Sequence, residues 1–125
     1  MTVLDASAVL AFLHDEVGAD QVEAELTSSR LSTVNLAEVV GKLVDRAVDV
    51  RRVSGLLQSA GVSVEPLTVA DAELAGALRG VPGGRRLSLG DRCCLALALR
   101  TGEPVLTADR AWARLDLAVE VRLLR

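Results

Sequence analysis

The sequence predicts an α/β domain of three layers, with a mostly parallel central sheet of about five short strands flanked by helices. Three observations predict it. Short apolar stretches alternate with segments of helical period, which is the pattern of β-α-β units. One stretch, Leu89 to Leu99, is apolar on every side and suits a helix buried at the centre of a fold. The chain has 125 residues, half of them hydrophobic and 25% charged, which matches one domain over residues 1–125 with a single substantial core.

The elements follow in order. Thr2–Leu4 reads as a short buried strand and Ser7–His14 as a helix that Gly18 breaks. Ala19–Ser28 is a second, more polar helix with Val22 and Leu26 one turn apart, and Arg30–Ser32 is a short strand. Asn35–Val48 carries a stripe of Leu36, Val39, Val40, Leu43, Val44 and Ala47, and Asp49–Ala60 continues as another helix with Gly61 at its C-terminal cap. Val62, Val64 and Leu67 alternate with polar residues, which suggests an edge strand ending at Pro66. Thr68 caps a helix of Val69–Leu78, and Gly80 to Arg86 is a loop by its Gly and Pro content. Ser88 opens the buried helix, which runs to Arg100 with Gly102 behind it. Pro104–Thr107 is a strand, Asp109–Leu115 a short helix and Val119–Val121 a last strand.

Composition excludes several classes. No stretch approaches the roughly 20 apolar residues of a membrane span, and the N-terminus has no basic region ahead of its apolar run, so a cytoplasmic protein without a signal peptide is expected. Cys93 and Cys94 are adjacent and lack zinc spacing, and His14 is the single histidine, at a helix end. A His-based zinc centre or a Ser-His-Asp triad would rest on that one residue. The net charge of −3 argues against a nucleic-acid coat protein. It leaves room for a nuclease that holds cations. All but one of the 14 basic residues are Arg, the exception being Lys42; Arg suits phosphate, and a GC-rich genome would give the same bias.

Four acids stand at element boundaries. Asp5 follows the first strand, Glu38 lies in the first turn after Asn35, Asp91 lies in the first turn after Ser88, and Asp109 follows Leu106-Thr107-Ala108. Capping explains each one singly. Ser88…Asp91 spells a capping box, Asn35…Glu38 is a close relative, and Thr68…Asp71 has the same spelling with no chemistry attached. Glu38 also lies opposite its helix's apolar stripe, with Lys42, Asp45 and Arg46. The collective reading differs. Parallel sheets carry sites beyond the carboxyl ends of their strands, so Asp5 and Asp109 are predicted at one edge. Two carboxylates about 4 Å apart cost about 4 kcal/mol at an effective dielectric near 20. Protons or cations must offset that repulsion, and a set of oxygen ligands without His or Cys suits Mg²⁺ or Mn²⁺.

The segments V-L-D-A-S-A, N-L-A-E-V, L-S-L-G-D-R and V-L-T-A-D-R-A-W occur in that order on a matching α/β pattern. Together they resemble the PIN-domain ribonucleases, and specifically the VapC toxins of VapBC toxin–antitoxin pairs. The resemblance covers nearly the whole chain. It implies a metal-dependent endoribonuclease whose acids fall on Asp5, Glu38, Asp91 and Asp109, with hydroxyls at Ser7 and Thr107. Trp112 stands where the family often has Phe, and Asp116 is a further acid that sometimes joins such sites. It also implies Mg²⁺ or Mn²⁺ as cofactor, RNA as substrate and a homodimer. A VapB-like antitoxin would lie in a groove of the helices around Asn35–Ala60 and push an Arg toward the acids.

On this reading Asp5, Asp91 and Asp109 bind one or two ions, with Glu38 nearby or through water. Ser7 and Thr107 orient Asp5, Asp109 or a bound water, or else cap helices. Arg92 and Arg110, beside proposed ligands, and Arg85 and Arg86 in the loop are candidates for phosphate. Three alternatives remain open from sequence: a housekeeping RNA-processing nuclease, a PIN fold that only binds a partner, and a receiver-like signalling domain. The last would want paired acids after the first strand and a late Lys, where this chain has Asp5 alone and only Lys42.

Overall fold

A computed structural model describes residues 1–125. Five strands, β1 (Thr2–Leu4), β2 (Ser29–Ser32), β3 (Val62–Glu65), β4 (Val105–Thr107) and β5 (Val121–Leu123), form one sheet in the order β3-β2-β1-β4-β5. Every pairing is parallel. Six helices connect them: α1 (Ala6–Leu13), α2 (Ala19–Glu25), α3 (Thr33–Asp45), α4 (Val53–Ser59), α5 (Val69–Ala77) and α6 (Leu89–Thr101). A 3₁₀ turn spans Arg110–Arg114. None of the helices is long and apolar enough to cross a membrane.

Strand alternation divides the core between the two faces of the sheet. Leu4 and Leu106 face Val9, Val22, Val39, Leu43 and Leu57 from α1 to α4. Val3 and Val105 face Cys94, Leu95, Leu97 and Ala98 of α6, with Trp112. The expected three layers are therefore present. α6 is buried from Cys93 to Ala98 because α5 covers the side that the sheet does not. Both thiols are free and buried.

Several boundaries differ from expectation. α3 begins after Ser32, whose hydroxyl accepts from Val34 N–H at 3.2 Å, so Asn35 lies inside the helix. It ends at Asp45, because Ala47 takes a left-handed conformation (φ 56°) that no helix continues. α4 is correspondingly shorter than Asp49–Ala60 and starts at Val53. His14 caps α1, so Gly18 precedes α2 and does not terminate α1. The last strand lies two residues later than Val119–Val121, in register with β4 through Val105 opposite Val121.

The chain lays down β1, β2 and β3 on one side and then crosses back to place β4 on the other side of β1. The carboxyl ends of β1 and β4 thus flank the point where the winding reverses, which is where such sheets open a crevice.

Candidate active site

At that crevice Asp5 is 5% exposed. It occupies the position ahead of α1, but its carboxylate caps nothing. Instead Oδ2 accepts from Ser7 Oγ at 2.6 Å and from Thr107 Oγ1 at 2.8 Å. Ser7 Oγ in turn accepts from Ala108 N–H and Thr107 Oγ1 from Asp109 N–H, both at 3.0 Å. Each hydroxyl has a single proton, and the carboxylate takes both; the 3.3 Å approach of Ser7 to Thr107 adds no further bond. One oxygen of Asp5 is therefore anchored to two chain segments about a hundred residues apart, while Oδ1 is left without a partner. Neither Ser7 nor Thr107 caps a helix.

The other three acids surround the same cleft. It has a volume of about 240 Å³ and is lined by Asp5, Ser7, Glu38, Asp91 and Asp109, with Lys42 at its edge. Asp91 also caps α6: its Oδ2 accepts from Ser88 N–H at 2.9 Å while its own N–H donates to Ser88 Oγ at 3.1 Å. Asp109 caps the 3₁₀ turn through Oδ1, which accepts from Ala111 N–H at 3.0 Å. Each keeps one oxygen for the cleft, so capping and lining coexist.

Glu38 is held differently from the expected capping box. Asn35 Nδ2 donates to Glu38 Oε1 at 2.7 Å and to the Gly90 carbonyl at 3.0 Å, tying α3 to α6. The Glu38 carboxyl lies so close to Gly90 that a methyl group there would overlap it. Because α3 starts at Thr33, Glu38 lies in its second turn and not in the first as expected; it lines the cleft from the body of the helix, held by Asn35 and packed against Gly90. Lys42, one turn on, follows it onto the same face and makes no ion pair.

Burial raises the Asp5 pKa above its ordinary 3.8, the Ser7 and Thr107 bonds oppose this, and the charges of Asp91 and Glu38 add to the rise. Asp5 thus stands in a negative field that a cation would relieve. As the side chains lie, no three of them converge on a single point in the manner of a closed metal cage. The donor chemistry, oxygen only with unpartnered carboxylate oxygens on Asp5, Asp91 and Asp109, suits a hydrated Mg²⁺ or Mn²⁺. Mg²⁺ takes one or two carboxylates and keeps several waters.

Five sequence-based candidates do not line the cleft: Arg92, Asp116, the exposed Arg110, and Arg85 and Arg86, which line a separate concavity. Arg92 is 7% exposed and donates to the Ala75 carbonyl at 2.9 Å, so it is spent on packing α6 against α5 and cannot reach a phosphate. Asp116 is exposed and lies outside the lining. Sequence reasoning missed Asn35 and Gly90 as supports of Glu38. The i, i+4 spacing of Glu38 and Lys42 was the one available signal for Lys42.

The PIN domain family model matches residues 2–117. Ribonuclease VapC42 of Mycobacterium tuberculosis is 34% identical over an alignment that covers 92% of this chain and 95% of that protein. Among solved structures, a toxin–antitoxin complex from Klebsiella pneumoniae matches with a TM-score of 0.74 at 19% identity, over 96% of this chain and 99% of the other. VapC20 of Mycobacterium tuberculosis, a sarcin–ricin loop cleaving toxin, matches with a TM-score of 0.70 at 17% identity, over 96% of this chain and 99% of the other.

Proposed function

This chain belongs to the PIN-domain family, and we propose that it is an endoribonuclease, the toxin of a VapBC-type pair, that hydrolyses RNA phosphodiester bonds with Mg²⁺ or Mn²⁺. One observation carries the chemistry: a buried carboxylate, Asp5, immobilised through one oxygen at the mouth of a cleft that Glu38, Asp91 and Asp109 also line. Asp5, Asp91 and Asp109 would hold the ion, directly or through water, with Glu38 alongside. When bound, such an ion lowers the pKa of water and neutralises charge on the phosphate.

The chain's own groups do the positioning. Ser7 and Thr107 fix the plane of Asp5, Ser88 and Ala111 fix Asp91 and Asp109, and Asn35 fixes Glu38. Lys42 offers the one unpaired cation at the cleft's edge to an incoming phosphate. An antitoxin helix suits the α3–α4 side, where Val44, Val48 and Leu56 are 56%, 44% and 62% exposed although they continue an apolar stripe.

The test is cleavage of total bacterial RNA by the purified chain, freed of any partner, with Mn²⁺ and with EDTA. Cleavage is expected with Mn²⁺ alone, and Asp5→Asn is expected to abolish it while the circular dichroism spectrum stays unchanged. Intact RNA with the wild-type chain and Mn²⁺, or equal cleavage by the variant, overturns the proposal.

A further inference from the structure

Two more concavities adjoin the acidic cleft, and the three share walls. Asp109 lines both the cleft and a hollow of about 310 Å³ formed by Pro82, Leu87, Trp112 and Leu115 with Arg86 and Arg114 at its sides. Arg86 and Gly83 in turn line both that hollow and a third concavity of about 250 Å³, which also holds Arg79 and Arg85. The order along the surface is therefore carboxylates, then an apolar hollow, then a group of arginines.

The charges in this track are free. Arg30, Arg51, Arg100 and Arg122 all pair with carboxylates, whereas Arg79, Arg85, Arg86 and Arg114 pair with none. In a molecule of net charge −3, four unneutralised guanidinium groups therefore line the two concavities that lead away from the acidic cleft. Guanidinium forks match phosphate, and an apolar hollow matches the faces of a nucleobase.

We infer that single-stranded RNA runs along this track: one base next to the scissile bond seats in the Trp112 hollow, and the phosphates beyond it lie on Arg79, Arg85 and Arg86. This deepens the ribonuclease reading and rests on it. RNA is favoured over an acidic peptide because one apolar hollow lies between the carboxylates and the arginines, and because the track opens onto the carboxylates that would do the cutting. A single built hollow also means that one base near the cut is read closely, while the arginine contacts tolerate any sequence.

The experiment is binding of a fluorescent single-stranded RNA 12-mer to the Asp5→Asn chain, followed by anisotropy across a salt series, and repeated with wild-type chain in EDTA. The Arg85→Ala/Arg86→Ala double variant is expected to bind more weakly and to lower the magnitude of the log–log salt slope by about 1.4, since each phosphate contact on a single strand contributes about 0.7. Arg52→Ala, which lines none of the three concavities, is the reference for loss of a charge elsewhere. An abasic site next to the cut is expected to weaken binding about tenfold, and the same lesion further along to have little effect.

An unchanged slope in the double variant overturns the inference, as does equal sensitivity to abasic sites at every position. Loss of antitoxin binding with RNA binding intact would assign the track to the protein partner and also overturn it. RNA cleavage by the wild type with any of these results leaves the ribonuclease reading standing. Altered slopes with no cleavage under any metal condition would instead remove that reading.

Discussion

Asp5 stands where a cap residue would stand, and its carboxylate meets the hydroxyls of Ser7 and Thr107 in place of a helix N–H. A strand-end carboxylate beside hydroxyl residues was legible in V-L-D-A-S-A and V-L-T-A-D, because both segments end strands whose apolar character is plain. The support of Glu38 was not legible. It depends on Gly90 of α6 coming against α3, two elements about fifty residues apart, and no local pattern encodes that approach. Gly90→Ala isolates this contact. The overlapping atoms belong to the flexible end of Glu38, so the carboxyl yields and the backbone does not. The helix also gains up to about 1 kcal/mol from replacing Gly by Ala. The expected outcome is a cleavage rate lower by at least about tenfold, in line with loss of a positioning contact, with an unfolding midpoint equal to or above wild type. Parallel urea melts and RNA cleavage assays check it; a stability loss matching the activity loss would mean that the glycine serves packing alone.

At the level of elements, two capping boxes with the same spelling serve different ends. Thr68 and Asp71 cap α5, and Asp71 then pairs with Arg100 at 2.6 Å on the far end of α6. Ser88 and Asp91 cap α6 and leave Asp91 facing the cleft. Thr68→Ala and Ser88→Ala should each cost about 1 kcal/mol. Only Ser88→Ala should also slow cleavage, since it loosens the turn that aims Asp91. Chemical denaturation and RNA cleavage of both variants check this; equal activities would mean that Asp91 is held well enough by the Ser88 N–H alone. Elements with one strong signal were readable: Gly102, at φ 68°, ends α6 where a C-terminal glycine was expected. Elements with competing signals were not. Ser32, Thr33 and Asn35 can all start a helix, and the first of them does. Val119, Val121 and Leu123 allow two strand registers, and pairing with β4 selects the later one.

Across the whole molecule, Glu65 and Asp71 contribute electrostatic stability to the fold, and Asp5 opposes it. The Arg30 hydrogen bond holds Glu65 below its ordinary 4.5. Burial pushes Asp71 upward, but the Arg100 bond and the Thr68 cap outweigh it and leave its pKa below 3.8. These two contribute stability that is present above their ordinary values and lost as pH falls through the lowered ones. Asp5 has the opposite sign. Its pKa is raised, chiefly by burial, so the metal-free fold holds this proton more tightly than the unfolded chain does, and stability is lost as pH rises from about 3.8 through the raised value. A divalent cation needs the ionised form and competes with the proton. The midpoint gained by adding Mn²⁺ in place of EDTA should therefore be near zero at about pH 4 and grow toward neutrality. With the ion at a hundred times its dissociation constant, the gain reaches about 2.7 kcal/mol, several degrees of melting temperature. Asp5→Asn should remove the gain and match or exceed the wild type in EDTA at neutral pH, because the amide oxygen still accepts from Ser7 and Thr107 without a buried charge. Thermal melts of both proteins between about pH 4 and about pH 8, with and without Mn²⁺, decide the matter. A gain that is constant with pH, or that survives Asp5→Asn, would place the ion away from the one carboxylate whose burial the fold maintains at a cost.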